Sequence, residues 1–265
     1  MDLNLEGRVA VVTGASRGLG AAITEVLSAE GVLVVAVART RSDLEALAAQ
    51  CSGDVIPLVR DLSDVEGAEM IPALAVREFG RLDIIVNNAA VATRGSLVEQ
   101  GGSGLHSAFA VNLFAPMAII RGAAPIFLGA GRGNIINIAS NGGLTGVPRL
   151  AAYCGSKAAL IRMTESLADE WGRSGIRVNA IAPGAFATDA QPFDLSDTAA
   201  VARRTTRIPL GRLGAPEEVA SLTAFLCSDV SGFIHGSTVV IDGGEHGLLG
   251  PDPQLWAAEA KEGHS

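Results

Sequence analysis

Thr13-Gly14-Ala15-Ser16-Arg17-Gly18-Leu19-Gly20 closes an apolar run, Arg8–Thr13, and leads into an amphipathic stretch. An apolar run that passes through closely spaced glycines into a helical pattern predicts strand, tight loop and helix. Glycines let the backbone turn sharply and approach a ligand closely. The following helix N-terminus offers unpaired N–H groups and the positive end of its dipole to an anion. Gly14, Ser16, Arg17, Gly18, Leu19 and Gly20 are therefore candidate phosphate contacts. The spacing is Gly-x3-Gly-x-Gly rather than Gly-x-Gly-x2-Gly, and the plain alternative is a glycine-rich turn with no ligand.

Outward from this loop the same alternation repeats. Val32–Ala38, Val55–Arg60, Leu82–Asn87, Asn134–Ala139, Arg177–Ile181 and Thr238–Ile241 are short runs rich in Val and Ile. Nearly continuous apolar runs suit strands buried on both faces. Helical stretches lie between them. Ser42-Asp43-Leu44-Glu45 and Ser63-Asp64-Val65-Glu66 have the spacing of capping boxes, and Ala215-Pro216-Glu217-Glu218 puts Pro and acids in a first turn. The pattern predicts an α/β fold: a doubly wound parallel sheet of about seven strands with helices on both faces. No composition break divides residues 1–244, which are expected to form a single domain. Residues 245–265 form a C-terminal extension with one helical patch at Trp256-Ala257-Ala258-Glu259.

The composition excludes several classes. The chain has 265 residues, 48% hydrophobic and 18% charged, enough for a buried core and too apolar for a disordered chain. Its net charge of -8 argues against nucleic acid or an anionic membrane as partner. No uninterrupted apolar run approaches the ~18 residues of a membrane helix, and the start, Met1-Asp2-Leu3-Asn4-Leu5-Glu6, lacks a leader pattern. Cys51, Cys154 and Cys227 are odd in number and widely spaced, which points to a reducing, cytoplasmic setting and no metal site.

The second strand ends Val37-Ala38-Arg39-Thr40-Arg41. Sites for NAD usually place an acid here for the ribose hydroxyls. Ala38 stands in its place and Arg39 follows. With Arg17 near the same corner, two guanidinium groups favour a 2′-phosphate, hence NADP(H), with NAD(H) as the alternative. Solvated surface arginines are the plain alternative. Asp61-Leu62, after the third strand, is placed to meet the adenine. A rival lies in the same letters: Gly14-Ala15-Ser16-Arg17-Gly18 matches the G-x-S-x-G elbow of serine hydrolases, with His235 or His246 as partner. Arg17 beside the nucleophile and a position on the first strand weigh against it.

Tyr153 is the only tyrosine, and Lys157 lies four residues on, so on a helix they share a face. Ser140 ends the strand Asn134–Ala139. A phenol with a pKa of ~10 needs a shift of about 3 units, about 4 kcal/mol, to exchange protons near neutrality. One ammonium about 4 Å away at an effective dielectric of about 20 supplies that much. A packed tyrosine followed by a solvated lysine is the plain alternative for this pair alone.

Together these pieces resemble the short-chain dehydrogenase/reductase family, in its 3-oxoacyl-carrier-reductase-like subgroup. The resemblance runs from about Gly7 to Gly244: the loop Thr13–Gly20, Asp61-Leu62, Asn87-Asn88-Ala89-Ala90, Asn112, Ser140, Tyr153 with Lys157, Asn179–Gly184 with Thr188, Arg212–Glu218, and Asp242-Gly243-Gly244. It implies a Rossmann fold and hydride transfer between a nicotinamide cofactor and a small carbonyl or secondary alcohol, usually of the pro-S hydride. Tyr153 would be the general acid/base, Lys157 would lower its pKa and bind the nicotinamide ribose, and Ser140 would hold the substrate oxygen. Asn112 would hold a relay water. Asn88 and Ala89 would wall the adenosine side, and Pro183, Gly184, Phe186 and Thr188 would seat the carboxamide. A homotetramer is implied. Ala90 departs from the usual Gly. Asn141 either faces the substrate or serves as a turn residue. The segment Ala185–Arg207 would grip the substrate: Phe186 and Phe193 suggest an apolar lid, while Arg203, Arg204 and Arg207 are either solvated or attract an acidic substrate. The extension either frays or lies over a neighbouring subunit. A nucleotide-binding sensor or scaffold of the same fold is the alternative function, and intact Ser140, Tyr153, Lys157 and Asn112 argue against it.

Overall fold

The computed structural model describes residues 2–247. Seven strands alternate with helices: β1 (Val9–Thr13), α1 (Gly18–Ala29), β2 (Leu33–Ala38), α2 (Arg41–Gln50), β3 (Val55–Val59), α3 (Val65–Glu69), α4 (Ile71–Phe79), β4 (Ile84–Asn87), α5 (Leu97–Phe109), α6 (Ala115–Ala130), β5 (Gly133–Ile138), α7 (Ala151–Trp171), β6 (Ile176–Pro183), α8 (Thr198–Thr205), α9 (Pro216–Cys227) and β7 (Thr238–Ile241). All seven expected runs are strands, with ends shifted by at most two residues. They pair in parallel in the order β3-β2-β1-β4-β5-β6-β7.

The run Val9–Thr13 is buried throughout because the sheet is covered on both sides. Ala10 and Val12 face one layer, with Ile23 and Leu27 of α1, Leu44 of α2 and Val219 of α9. Val9 and Val11 face the other, with Ile71 of α4, Ile119 of α6 and Trp171 of α7. Period-2 alternation thus feeds two apolar cores.

Two helix starts differ from expectation. α2 begins at Arg41, so Ser42 lies inside it and its hydroxyl contacts Asp43 rather than capping. At α3 the cap is Asp64, whose carboxylate accepts from Gly67 N at 3.0 Å, and not Ser63. An Asp is the stronger acceptor for first-turn N–H groups. A full capping box stands instead at α5, where Ser96 and Glu99 bond reciprocally. Glu218 reaches back to Ala215 N at 2.7 Å at the start of α9.

The helical run Leu97–Ala130 is long and apolar enough by length and composition to cross a membrane. No uninterrupted apolar run reveals this, because α5 and α6 merge through a π-helical turn, Ala110–Phe114. In the fold it is a core helix: Ala118, Ile119, Ala123 and Phe127 pack beneath the sheet. The helical patch at Trp256–Glu259 and most of the 245–265 extension lie outside the described residues.

Candidate active site

Strand order reverses between β1 and β4, so the loops that follow them diverge and leave a crevice at the C-terminal sheet edge. A cleft of about 470 Å³ opens there. Gly14, Ser16, Arg17, Gly18, Leu19, Gly20, Arg39, Asp61, Leu62, Asn88, Ala89, Ser140, Tyr153, Lys157, Pro183, Gly184, Phe186 and Thr188 all line it. Among the expected catalytic and cofactor-binding residues only Asn112 does not.

At the floor, Thr13 joins the two diverging loops. Its Oγ1 accepts from Asn88 N at 3.0 Å and Ala89 N at 3.1 Å, while Asn88 Nδ2 donates to Thr13 O at 2.9 Å and Gly14 O at 3.2 Å. Gly14 (φ +64) and Gly20 fit this close approach: a Cβ on Gly14 would stand 2.8 Å from Ala89 Cα, and one on Gly20 2.5 Å from Asn88 Nδ2. Ala90 is exposed in the cleft and outside the positive-φ region, so its methyl causes no strain.

The start of α1 has no side-chain cap, leaving its first N–H groups for an anion. The exposed guanidinium groups of Arg17 and Arg39 line the same end, and so does Arg60, which sequence reasoning missed although it closes the third apolar run beside Asp61. Bonds from Ser63, and then the Arg39 charge, hold the Asp61 carboxyl below the usual carboxylate range. An uncapped helix start, a glycine cradle and three guanidinium groups together fit a phosphorylated dinucleotide.

Ser140, Tyr153 and Lys157 meet at the other end. Ser140 ends β5 and stands before a short turn, with its Oγ accepting from Gly142 N at 3.0 Å. Tyr153 lies in the first turn of α7, and the Ser140 hydroxyl acts on its phenol. Lys157 Nζ donates to Ile138 O at 2.6 Å and stands 6.0 Å from the centroid of the Tyr153 ring. The expected lowering of the Tyr153 pKa by Lys157 is not found here. Burial raises the phenol pKa, opposed by the Ser140 bond and the Arg94 charge. Burial also pulls Lys157 down to about 7, which weakens the charge that was to act on Tyr153.

Asn112 is fully buried in the π-helical turn. Its side chain accepts from Val91 N at 2.7 Å and donates to Val91 O at 2.9 Å and to Ser156 Oγ at 2.9 Å. The amide therefore braces the β4 loop against α7.

No histidine from the elbow alternative reaches Ser16. His235 spends both ring nitrogens on Ala168 O (2.8 Å) and Val178 N (3.2 Å), and His246 Nδ1 meets Asp242 Oδ2 at 2.8 Å. Among the described residues no cluster of metal ligands occurs. In the segment after β6, Phe186 is buried and lines the cleft with Gln191, whereas Phe193 does not line it. Arg203 and Arg207 are exposed. Arg204, expected to be either solvated or turned to an acidic substrate, pairs instead with Glu245 at 2.7 Å.

The family described as enoyl-(acyl carrier protein) reductase matches residues 14–246. D-threitol dehydrogenase of Mycolicibacterium smegmatis is 37% identical over 92% of this chain and 94% of its own. L-xylulose reductase of Bos taurus is 39% identical over 92% of this chain and 98% of its own. A candidate NAD(P)-dependent gluconate 5-dehydrogenase from Beutenbergia cavernae, with NADP bound at low occupancy, superposes with a TM-score of 0.85 at 35% identity, covering 92% and 99% of the two chains.

Proposed function

Because the chain belongs to the short-chain dehydrogenase/reductase family and is an NAD(P)-dependent oxidoreductase, we propose that it interconverts a small carbonyl compound and its secondary alcohol with NADP(H) preferred over NAD(H). The observation that carries this is one cleft with Arg17, Arg39 and Arg60 at one end and Ser140, Tyr153 and Lys157 at the other. When bound, the nicotinamide cofactor supplies or accepts the hydride.

The chain's own residues hold the substrate oxygen and move its proton. Ser140 Oγ, fixed by Gly142 N, binds that oxygen. Tyr153 Oη gives a proton to the oxygen in reduction and takes one back in oxidation. Burial keeps the phenol protonated, the state reduction needs. Lys157 holds the nicotinamide ribose beside Tyr153. Asn112 fixes the wall between the β4 loop and α7 and supports the proton path from Lys157. Pro183, Gly184, Phe186 and Thr188 seat the carboxamide, and Asp61 and Leu62 the adenine.

The threitol, xylulose and gluconate names of relatives favour polyhydroxylated carbonyls as the first probes. The exposed Phe114, Met117 and Leu128 at and along α6, with Phe233, support a homotetramer through helix faces. The three free thiols support a cytoplasmic setting.

The test is nicotinamide absorbance with NADPH and NADH against small ketoses, keto acids and a 3-oxoacyl thioester. Turnover that falls at least about a hundredfold in Tyr153→Phe, with NADPH binding retained, is the expected result. NADPH binding without turnover on any probe would favour the sensor function, and turnover unchanged in Tyr153→Phe would overturn the mechanism.

A further inference from the structure

Arg204, Glu245, Asn141 and Ser140 form a continuous polar chain. Arg204, on α8, places Nη2 2.8 Å from Glu245 Oε2 and 2.7 Å from Oε1. Asn141 Nδ2 donates to Glu245 Oε2 at 3.2 Å. Ser140 Oγ donates to Asn141 Oδ1 at 3.4 Å. The Arg204 and Glu245 side chains are 26% and 15% exposed. Arg204 Nη1 is buried with no hydrogen-bond partner among the described residues. A largely desolvated pair with a donor left over adds little net stability, so its use lies elsewhere.

The amide of Asn141 has one orientation that suits both neighbours: nitrogen toward Glu245, oxygen toward Ser140. Glu245, as a pure acceptor, enforces that orientation. Gly142 N already occupies one lone pair of Ser140 Oγ, and Asn141 Oδ1 and the Tyr153 phenol both face its O–H, so a fixed Asn141 oxygen biases which of the two it meets. We propose that Arg204 and Glu245 act through Asn141 as positioning residues for Ser140, coupling the seating of α8 to the orientation of the Ser140 hydroxyl. The proposal rests on the assignment of Ser140 to the substrate oxygen made above.

The full chain carries the test, as Asn141→Ala, Glu245→Ala, Glu245→Gln and the double variant Arg204→Gln/Glu245→Ala. The probe is NADPH with whichever carbonyl the unaltered protein reduces. Glu245→Ala and Asn141→Ala should lose about tenfold in kcat, the scale of one hydrogen bond. Glu245→Gln, which keeps an acceptor oxygen, should recover part of the loss. The double variant should be no worse than Glu245→Ala, because one chain is already broken. NADPH Kd should stay within about twofold. Unchanged kcat, multiplying losses, or a parallel change in NADPH Kd would each overturn the coupling. Hydrogen exchange supplies a readout independent of turnover: Asn141→Ala should speed exchange across Thr198–Thr205, and unchanged exchange there overturns the coupling even if no carbonyl is reduced. Failure of turnover in the unaltered protein, with the exchange effect present, would count against Ser140 chemistry and not against the polar chain.

Discussion

Lys157 holds its ammonium 6.0 Å from the centroid of the Tyr153 ring while bonding to Ile138 O. Enclosure lowers its pKa from 10.5 to about 7. Above pH 7 the unfolded chain keeps a proton on this lysine that the folded chain has lost, so stability rises with pH, by up to ~1.4 kcal/mol per unit from this group. Above pH 9 the buried Cys227, raised to about 12, works in the opposite sense, since the unfolded thiol ionises first. Urea unfolding of the unliganded protein across this window should show a flatter slope for Lys157→Met. Equal slopes would contradict a buried lysine with a lowered pKa.

Thr13→Val should destabilise by at least ~2 kcal/mol, because Asn88 N and Ala89 N lose their common acceptor in a buried place. Thr13→Ser should recover most of it. Denaturant midpoints with unchanged slope would measure both.

Arg39→Ala and Arg60→Ala should each weaken NADPH binding about ten- to hundredfold and NADH binding far less, since only the former offers a 2′-phosphate. Fluorescence titration decides it. Equal losses for both nucleotides would mean that the arginines serve the shared phosphates.

Gly20→Ala should abolish tight nucleotide binding and cost ~1–3 kcal/mol, because its Cβ would press on Gly14 O and Asn88 Nδ2. Gly129→Ala, where a Cβ meets nothing within 4 Å on the exposed side of α6, should stabilise by up to ~1 kcal/mol. Thermal melts of the pair separate a cradle glycine from an incidental one.

Features carried by neighbouring residues were legible in the sequence. The strand runs show because residues such as Val9–Val12 are apolar on both faces, and the phosphate loop shows because strand, glycines and helix start are contiguous. The cap at α2 was misread because helix entry moved by two residues and turned Ser42 into an interior position. Arg60 was missed because a terminal arginine carries no signal until β3 is seen beside β2.

The sequence by itself determined the alternation of elements, the two-sided burial of the sheet and the identity of Ser140, Tyr153 and Lys157, because each depends on periodicity or short spacing. Only the tertiary structure decided which charges act on which groups. Burial, not the neighbouring lysine, dominates the Tyr153 pKa. Asn141 meets Glu245 across 104 residues. Desolvation and long-range pairing depend on what surrounds a side chain in space, and no local spacing encodes that.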